Sequence, residues 1–153
     1  MSIDHKALRD AIAAEEQSLR DFPLSDAALF RLASELLAAA PAPLSARVVL
    51  GRRTVAELAS AGTGGDNAVF LTRKINVVFN TGHSSLWWHH HLRMTGRQLK
   101  DVRWADPREV VDLGGSFPLF AGEAVVGAVA VSGLAHDAHD QVVIRVMRAM
   151  RQG

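Results

Sequence analysis

Apolar positions change their period several times along the chain, and each change marks an element. From about residue 3 to 20, Leu8, Ala11, Ile12 and Leu19 recur near helical spacing, which predicts a first helix. The segment "DFPLS" breaks it. Ser25 then caps a second helix whose core face is Leu29, Leu32, Ala33, Leu36 and Leu37. Prolines at 41 and 43 stop that helix, because proline has no N–H and crowds the preceding turn.

"ARVVLGRRTVAELAS" predicts two strands around a turn near Gly51 and Arg52. After a glycine-rich turn, "DNAVFLTRKINVVFN" reads as a helix with apolar residues nearly all round, the pattern of a buried helix. "SSLWWHHHLRM" is a shorter helix with a Ser cap that ends near Gly96. "DPREVVDLGGSFPLF" and "AGEAVVGAVAVSGL" read as strands, and the continuous apolar run of the second suits a central strand. "HDAHDQVVIRVMRAMRQ" closes the chain as a helix. Asp137 and Asp140 lie towards its start and Arg145, Arg148 and Arg151 towards its end, matching the macrodipole. This order predicts one antiparallel sheet with helices on both faces, in a single domain covering 1–153.

Composition narrows the function classes. With 48% apolar residues the chain can fill a substantial core, which excludes a disordered segment. The net charge is +1, and acidic and basic residues mix throughout, so no basic stripe marks a nucleic-acid partner. There is no cysteine, which excludes disulfides, thiolate zinc sites and a cysteine nucleophile. Asp4, Asp10, Glu15 and Glu16 stand where a secretion signal needs an apolar core, and no apolar run is long enough for a membrane span. A cytoplasmic location is the expectation, with neither membrane nor nucleic acid as partner.

Candidate chemistry starts in "AGTGGDNAVFLTRKINVV". A phosphate loop needs Gly-Lys-Ser/Thr at the helix start, whereas Asp66-Asn67 stands here, and the spacing of Gly62, Gly64 and Gly65 does not fit a dinucleotide fingerprint. Asp66 is expected to cap the helix. Arg73 and Lys74 follow seven residues after Asp66 and Asn67, which returns them to the same face within about 20°. Two readings remain open for these pairs: internal pairing, or the edge of a ligand pocket.

His89, His90 and His91 diverge by about 100° per step on a helix and cannot converge on one metal. They are expected on the wet side of their helix or at a subunit interface, and Trp87 and Trp88 on different faces. His136, His139 and Asp140 share a face by spacing alone, a metal candidate set against plain helix capping. Gly114-Gly115 before a strand marks a close approach, and Ser132 ends the central strand where ligands gather. No "GxSxG" elbow is present, which argues against a serine hydrolase.

In order along the chain, "GTGGDNAVFLTRKINVVFNTGHSS", "GGSFPLF" and "VGAVAVSGL" resemble the haem-degrading, GlcG/HbpS-like family, and most nearly its uncharacterised cytosolic subgroup. The resemblance runs from about residue 20 to 150. It implies a profilin-like three-layer α/β/α fold with a five-stranded antiparallel sheet. It also implies a homo-oligomer, and haem or another tetrapyrrole as a ligand of some members. The pocket residues it implies are Asp66, Asn67, Arg73, Lys74, Ser84, Ser85, Gly115, Ser116, Phe117, Ser132 and Gly133. Two positions depart from the subgroup's pattern. Phe70 replaces a tryptophan, and His139-Asp140 stands where Asp-His is usual.

Three function classes follow. The first is a small-ligand protein, with an anion held by Arg73, Lys74, the Ser84-Ser85 helix start and the Gly115-Ser116 backbone. The second is haem binding or breakdown, which needs an axial His or Met in an apolar pocket. The third is an oligomeric interaction protein without catalysis that assembles through Trp87 and Trp88.

Overall fold

A computed structural model describes residues 2–134 and 136–152, the side chains of His136 and Asp137 excepted. The elements run α1 (His5–Ser18), α2 (Asp26–Ala39), β1 (Ser45–Leu50), β2 (Arg53–Ala59), α3 (Gly65–Thr81), α4 (Ser85–Met94), β3 (Ser116–Ala121), β4 (Ala124–Ser132) and α5 (His136–Gln152). Asp4 caps α1 through the Ala7 N–H, and Ser25 caps α2 through the Ala28 N–H. These are the side-chain acceptors that orphan donors at a helix start require.

The sheet has four strands in the order β2-β1-β4-β3, and every neighbouring pair is antiparallel. Alternation divides it cleanly. Ala46, Val48, Val129 and Val131 face a core filled by Leu29, Leu32 and Leu36 of α2 and Val143 and Met147 of α5. Val49, Ala128 and Ala130 face Leu71, Ile75 and Val78 of α3. Helices therefore cover both faces, and β4 is buried on both, as its unbroken apolar run predicts. Gly127 marks where β4 passes closest to β1: a Cβ there would lie 2.2 Å from the Val49 carbonyl oxygen.

Two expectations are corrected. The described sheet has four strands rather than five, because residues 106–115 curl instead of extending. Pro107 offers no N–H. The Asp106 carboxylate accepts from the Arg108 N–H at 2.8 Å, and its carbonyl accepts from Glu109 and Val110 at 2.9 Å each, closing a turn. β3 begins only at Ser116 and forms a sheet edge, where Pro118 costs no ladder bond. The second correction concerns α3, which is not buried all round. Val69 and Phe79 are 48% and 43% exposed, and only the stripe towards the sheet is closed off.

A third apolar cluster joins Val77 of α3 to Trp88 and Leu92 of α4, with Val102 and Val110. α1 lies against α4, and the end of α5 ties back to it: Arg148 pairs with Glu15, and Arg151 donates to the Ser18 carbonyl. No helix among the described residues is long and apolar enough to cross a membrane.

Candidate functional site

The start of α3, the end of β4 and the start of α5 meet around a cavity of about 330 Å³. Its lining includes Asn67, Phe70, Lys74, Ser132, Leu134 and His139. The local reason is the turn before α3. Gly64, not Asp66, is the N-cap; the helix starts at Gly65, and Asp66 sits exposed in its first turn at the cavity mouth. Asn67 does the capping work from inside, accepting from the Gly64 N–H at 3.0 Å while its amide donates to Ser132 Oγ at 3.0 Å. That pair fixes α3 against the end of β4. The spacing predicted that Asn67 and Lys74 share a face, and both line the cavity.

Lys74 is the unusual residue. It is only 2% exposed, and its Nζ donates to the Val131 carbonyl at 2.8 Å. Among the described residues no ion pair closes on it. Gly115 makes room for it: at φ +130° its missing Cβ would sit 2.8 Å from Lys74 Nζ. Burial lowers the Lys74 ammonium to about 8, against the nearby Asp140 charge, which holds it up.

Asp140 lies on the other side of Gly115, 4% exposed, with Oδ1 accepting the Gly115 N–H at 3.0 Å. Its Oδ2 is buried with no hydrogen-bond partner. Burial raises this carboxyl to about 8; the Gly115 bond opposes the rise, buried Glu16 adds to it, and Lys74 opposes it. His139 is buried beside the cavity, and its Nε2 accepts the Leu134 N–H at 2.8 Å. An accepting Nε2 carries no proton, so this ring is neutral with its hydrogen on Nδ1.

The other sequence-derived residues separate into two groups. Asp66, Asn67, Lys74, Ser132 and Gly133 line the cavity, and Gly115 backs Lys74. Arg73, Ser84, Ser85, Ser116 and Phe117 do not line it. Arg73 donates to the Arg108 carbonyl at 3.2 Å and lies over the Phe70 ring; among the described residues no ion pair joins it to Asp66. Ser85 and Ser116 exchange hydroxyl and backbone bonds at 3.1 and 3.2 Å, and Phe117 sits in the α2–α5 core. The free N–H groups expected at the α4 start are already taken. Buried Glu16 of α1 accepts the Ser84 N–H at 2.9 Å and pairs with His83 at 2.6 Å. Residue spacing gave no signal for Glu16, which arrives from 68 residues away.

Among the described residues the metal candidates do not converge. His139 and Asp140 turn to different backbone donors, the side chain of His136 lies outside the described residues, and no ligating group of three is found among those described. The histidine run also disperses, one ring to the segment before β3 and two to α1. His89 meets Asp112 at 2.8 Å, His90 meets His5 at 2.9 Å, and His91 meets Arg9 at 3.2 Å. Trp87 stacks between His83 and His91, while Trp88 is 3% exposed and cannot anchor another subunit.

A wider cavity of about 420 Å³ lies between α3 and the β1–β2 hairpin, lined by Arg47, Arg52, Thr72, Asn76 and Phe79 among others. Its Arg47 is already engaged by Glu57, Thr72 and the Ala68 carbonyl. The smaller cavity alone has a buried charged group in its wall, and that makes it the stronger candidate.

Comparison with known proteins follows this geometry. The family described as haem degrading protein HbpS-like matches residues 23–148. A UPF0303 protein of Streptomyces coelicolor is 32% identical over 130 residues, 84% of this chain and 82% of that one. A UPF0303 protein of Burkholderia orbicola is 36% identical over 92 residues, 60% of this chain and 56% of that one. Among solved structures, the Ybr137w protein superposes with a TM-score of 0.84 at 15% identity, covering 99% of this chain and 97% of that one. A PduOC:heme complex superposes with a TM-score of 0.64 at 18% identity, covering 83% and 94%. At such identities the structures establish a shared fold.

Proposed function

This chain belongs to the haem-degrading HbpS-like family, and from that premise we propose that its α3–β4–α5 cavity binds a small carboxylate-bearing ligand. One observation carries the reading: a lysine sealed into the cavity wall whose ammonium, among the described residues, closes no ion pair. Below pH 8, Lys74 keeps its charge and Asp140 keeps its proton, so the floor is net positive. As pH rises through about 8, Lys74 loses its charge and Asp140 gains one, and the floor turns negative. Ser132 adds a hydroxyl, and Phe70 and Leu134 supply apolar wall for a short carbon chain.

Calorimetry with propionate and succinate tests this. Affinity is expected to drop at least about tenfold between pH 7 and 9, since ion-paired hydrogen bonds are the stronger class. Lys74→Met removes the binding at pH 7. Equal affinity in wild type and Lys74→Met would defeat the proposal.

A haem reading draws on the solved neighbour named as a heme complex. Haem needs an imidazole or thioether presented to iron in an apolar pocket. The cavity's imidazole, His139, already uses Nε2 on the Leu134 N–H, and the α4 histidines reach α1 and Asp112 outside it. At about 330 Å³ the cavity is also at the small end for organic ligands. These residues do not fit a haem enclosed within one chain. Hemin titration separates the readings: a sharp Soret shift abolished by His139→Ala supports haem, and a featureless spectrum supports the carboxylate.

In the same reading the whole chain is one profilin-like domain, acting in the cytoplasm as a homo-oligomer. The superpositions and the cysteine-free composition support this. Light scattering tests the assembly, and a monomer would also remove the reading as an interaction protein.

A further inference from the structure

We propose that Lys74 is a carbonyl-reactive amine, forming a reversible Schiff base with a short 2-oxo acid held in the α3–β4–α5 cavity. The inference rests on the carboxylate reading of that site and names the ligand class within it. Three observations carry it.

The first is residue choice. The chain has fourteen arginines and only three lysines, Lys6, Lys74 and Lys100. Its most buried cation is nevertheless a lysine. Arginine stays protonated in proteins and cannot act as a nucleophile, whereas a lysine can give up its proton on burial.

The second is placement. Lys74 Nζ is anchored by one bond to the Val131 carbonyl, which leaves two of its three N–H positions for other partners. The missing side chain of Gly115 lets Nζ reach this position, since a Cβ there would lie 2.8 Å from it, at a φ of +130° that other residues rarely adopt. The third is the surroundings. Asp140 stands behind Gly115 with Oδ2 buried and lacking a hydrogen-bond partner, and Ser132 presents its hydroxyl at the cavity wall. A desolvated lysine in such a pocket is the arrangement that activates amines towards carbonyl carbon.

The step balances without an outside oxidant or reductant. The neutral Nζ lone pair forms a bond to the carbonyl carbon, and the C=O π pair moves to oxygen. Nitrogen loses a proton and oxygen gains one, giving a carbinolamine. Loss of the protonated hydroxyl as water then leaves the C=N bond. Around Nζ the titratable neighbours are Asp140 of α5, Glu16 of α1 acting on it, His139 of α5 in the cavity lining, and Asp66 at the mouth. Deprotonation of Lys74 near pH 8 favours attack, while loss of floor charge above it weakens carboxylate binding. The two trends give adduct formation a maximum near pH 8.

Incubating the full chain with pyruvate and sodium borohydride, then mapping modified peptides by mass spectrometry, tests the proposal. The expected result is a reduced adduct on Lys74, with Lys6 and Lys100 labelled at least about tenfold less, because both are exposed and neither lines the cavity that would hold the 2-oxo acid. Lactate, which has the carboxylate but no carbonyl, leaves no adduct. Labelling of Lys6 and Lys100 equal to that of Lys74, or no label on Lys74, overturns the Schiff base. Calorimetric binding of lactate and propionate in that same outcome would leave the carboxylate reading standing. The map is read on wild-type protein, so it does not depend on whether Lys74→Met folds.

Discussion

Replacing Asp140 with Asn should flatten the fall of stability with pH between 5 and 7. Asp140 holds its proton in the fold until about pH 8, against 3.8 for an aspartate in water. An acid that binds its proton more strongly when folded stabilises the fold below its unfolded value and loses that contribution as pH rises towards its folded value. Each pH unit in between costs the wild-type fold about 1.4 kcal/mol. Between pH 5 and 7 the loss is therefore on the order of 3 kcal/mol. Lys74 stays protonated in folded and unfolded chain over most of that window and adds little slope. Asn keeps an oxygen for the Gly115 N–H, and whatever its amide nitrogen costs is the same at both pH values. Thermal unfolding of both proteins at pH 5 and 7 is the assay. At roughly 2–4 °C per kcal/mol for a chain of this size, wild type should lose about 6–12 °C more than Asp140→Asn. Equal losses in the two proteins would refute the buried, protonated carboxyl, and with it the net positive cavity floor.

Gly115→Ala should destabilise by about 2–3 kcal/mol, because its Cβ would strain a φ of +130° and press on Lys74 Nζ and the Val131 carbonyl. Gly51→Ala, with nothing within 4 Å of its Cβ, should cost about half as much or less in the same urea titration. Glu16→Ala strips the acceptor from the Ser84 N–H and from His83 and should cost about 2–4 kcal/mol. Glu16→Gln, whose carbonyl can keep the Ser84 bond, should recover about half of that in the same titration.

The sequence made the helices legible because their apolar stripes and caps are local. Lys74 was readable as one edge of a pocket for the same reason, since seven residues bring Asn67 and Lys74 onto one face. What lay beyond reach was pairing across distance. Nothing near Ser84 announced that a carboxylate from α1 would occupy its N–H, and a free helix start was the natural expectation. The Asp140 position was visible as an acid at a helix start. Its partner Gly115 lies 25 residues away, so its burial was not. The expected fifth strand failed for a local reason that hydrophobic pattern alone outweighed: Asp106-Pro107 favours a turn, yet Val110 and Val111 look like strand residues.

The family match begins at residue 23, beyond the end of α1, yet Glu16 of α1 closes the start of α4 and raises the Asp140 carboxyl behind the cavity. The matched segment therefore stops short of the cooperative unit in this chain. A fragment trimmed to the matched residues would keep every cavity-lining side chain while stripping the carboxylate from Ser84 and His83. Its ligand chemistry would then be that of a differently charged site, so expression boundaries should include α1 rather than start at residue 23.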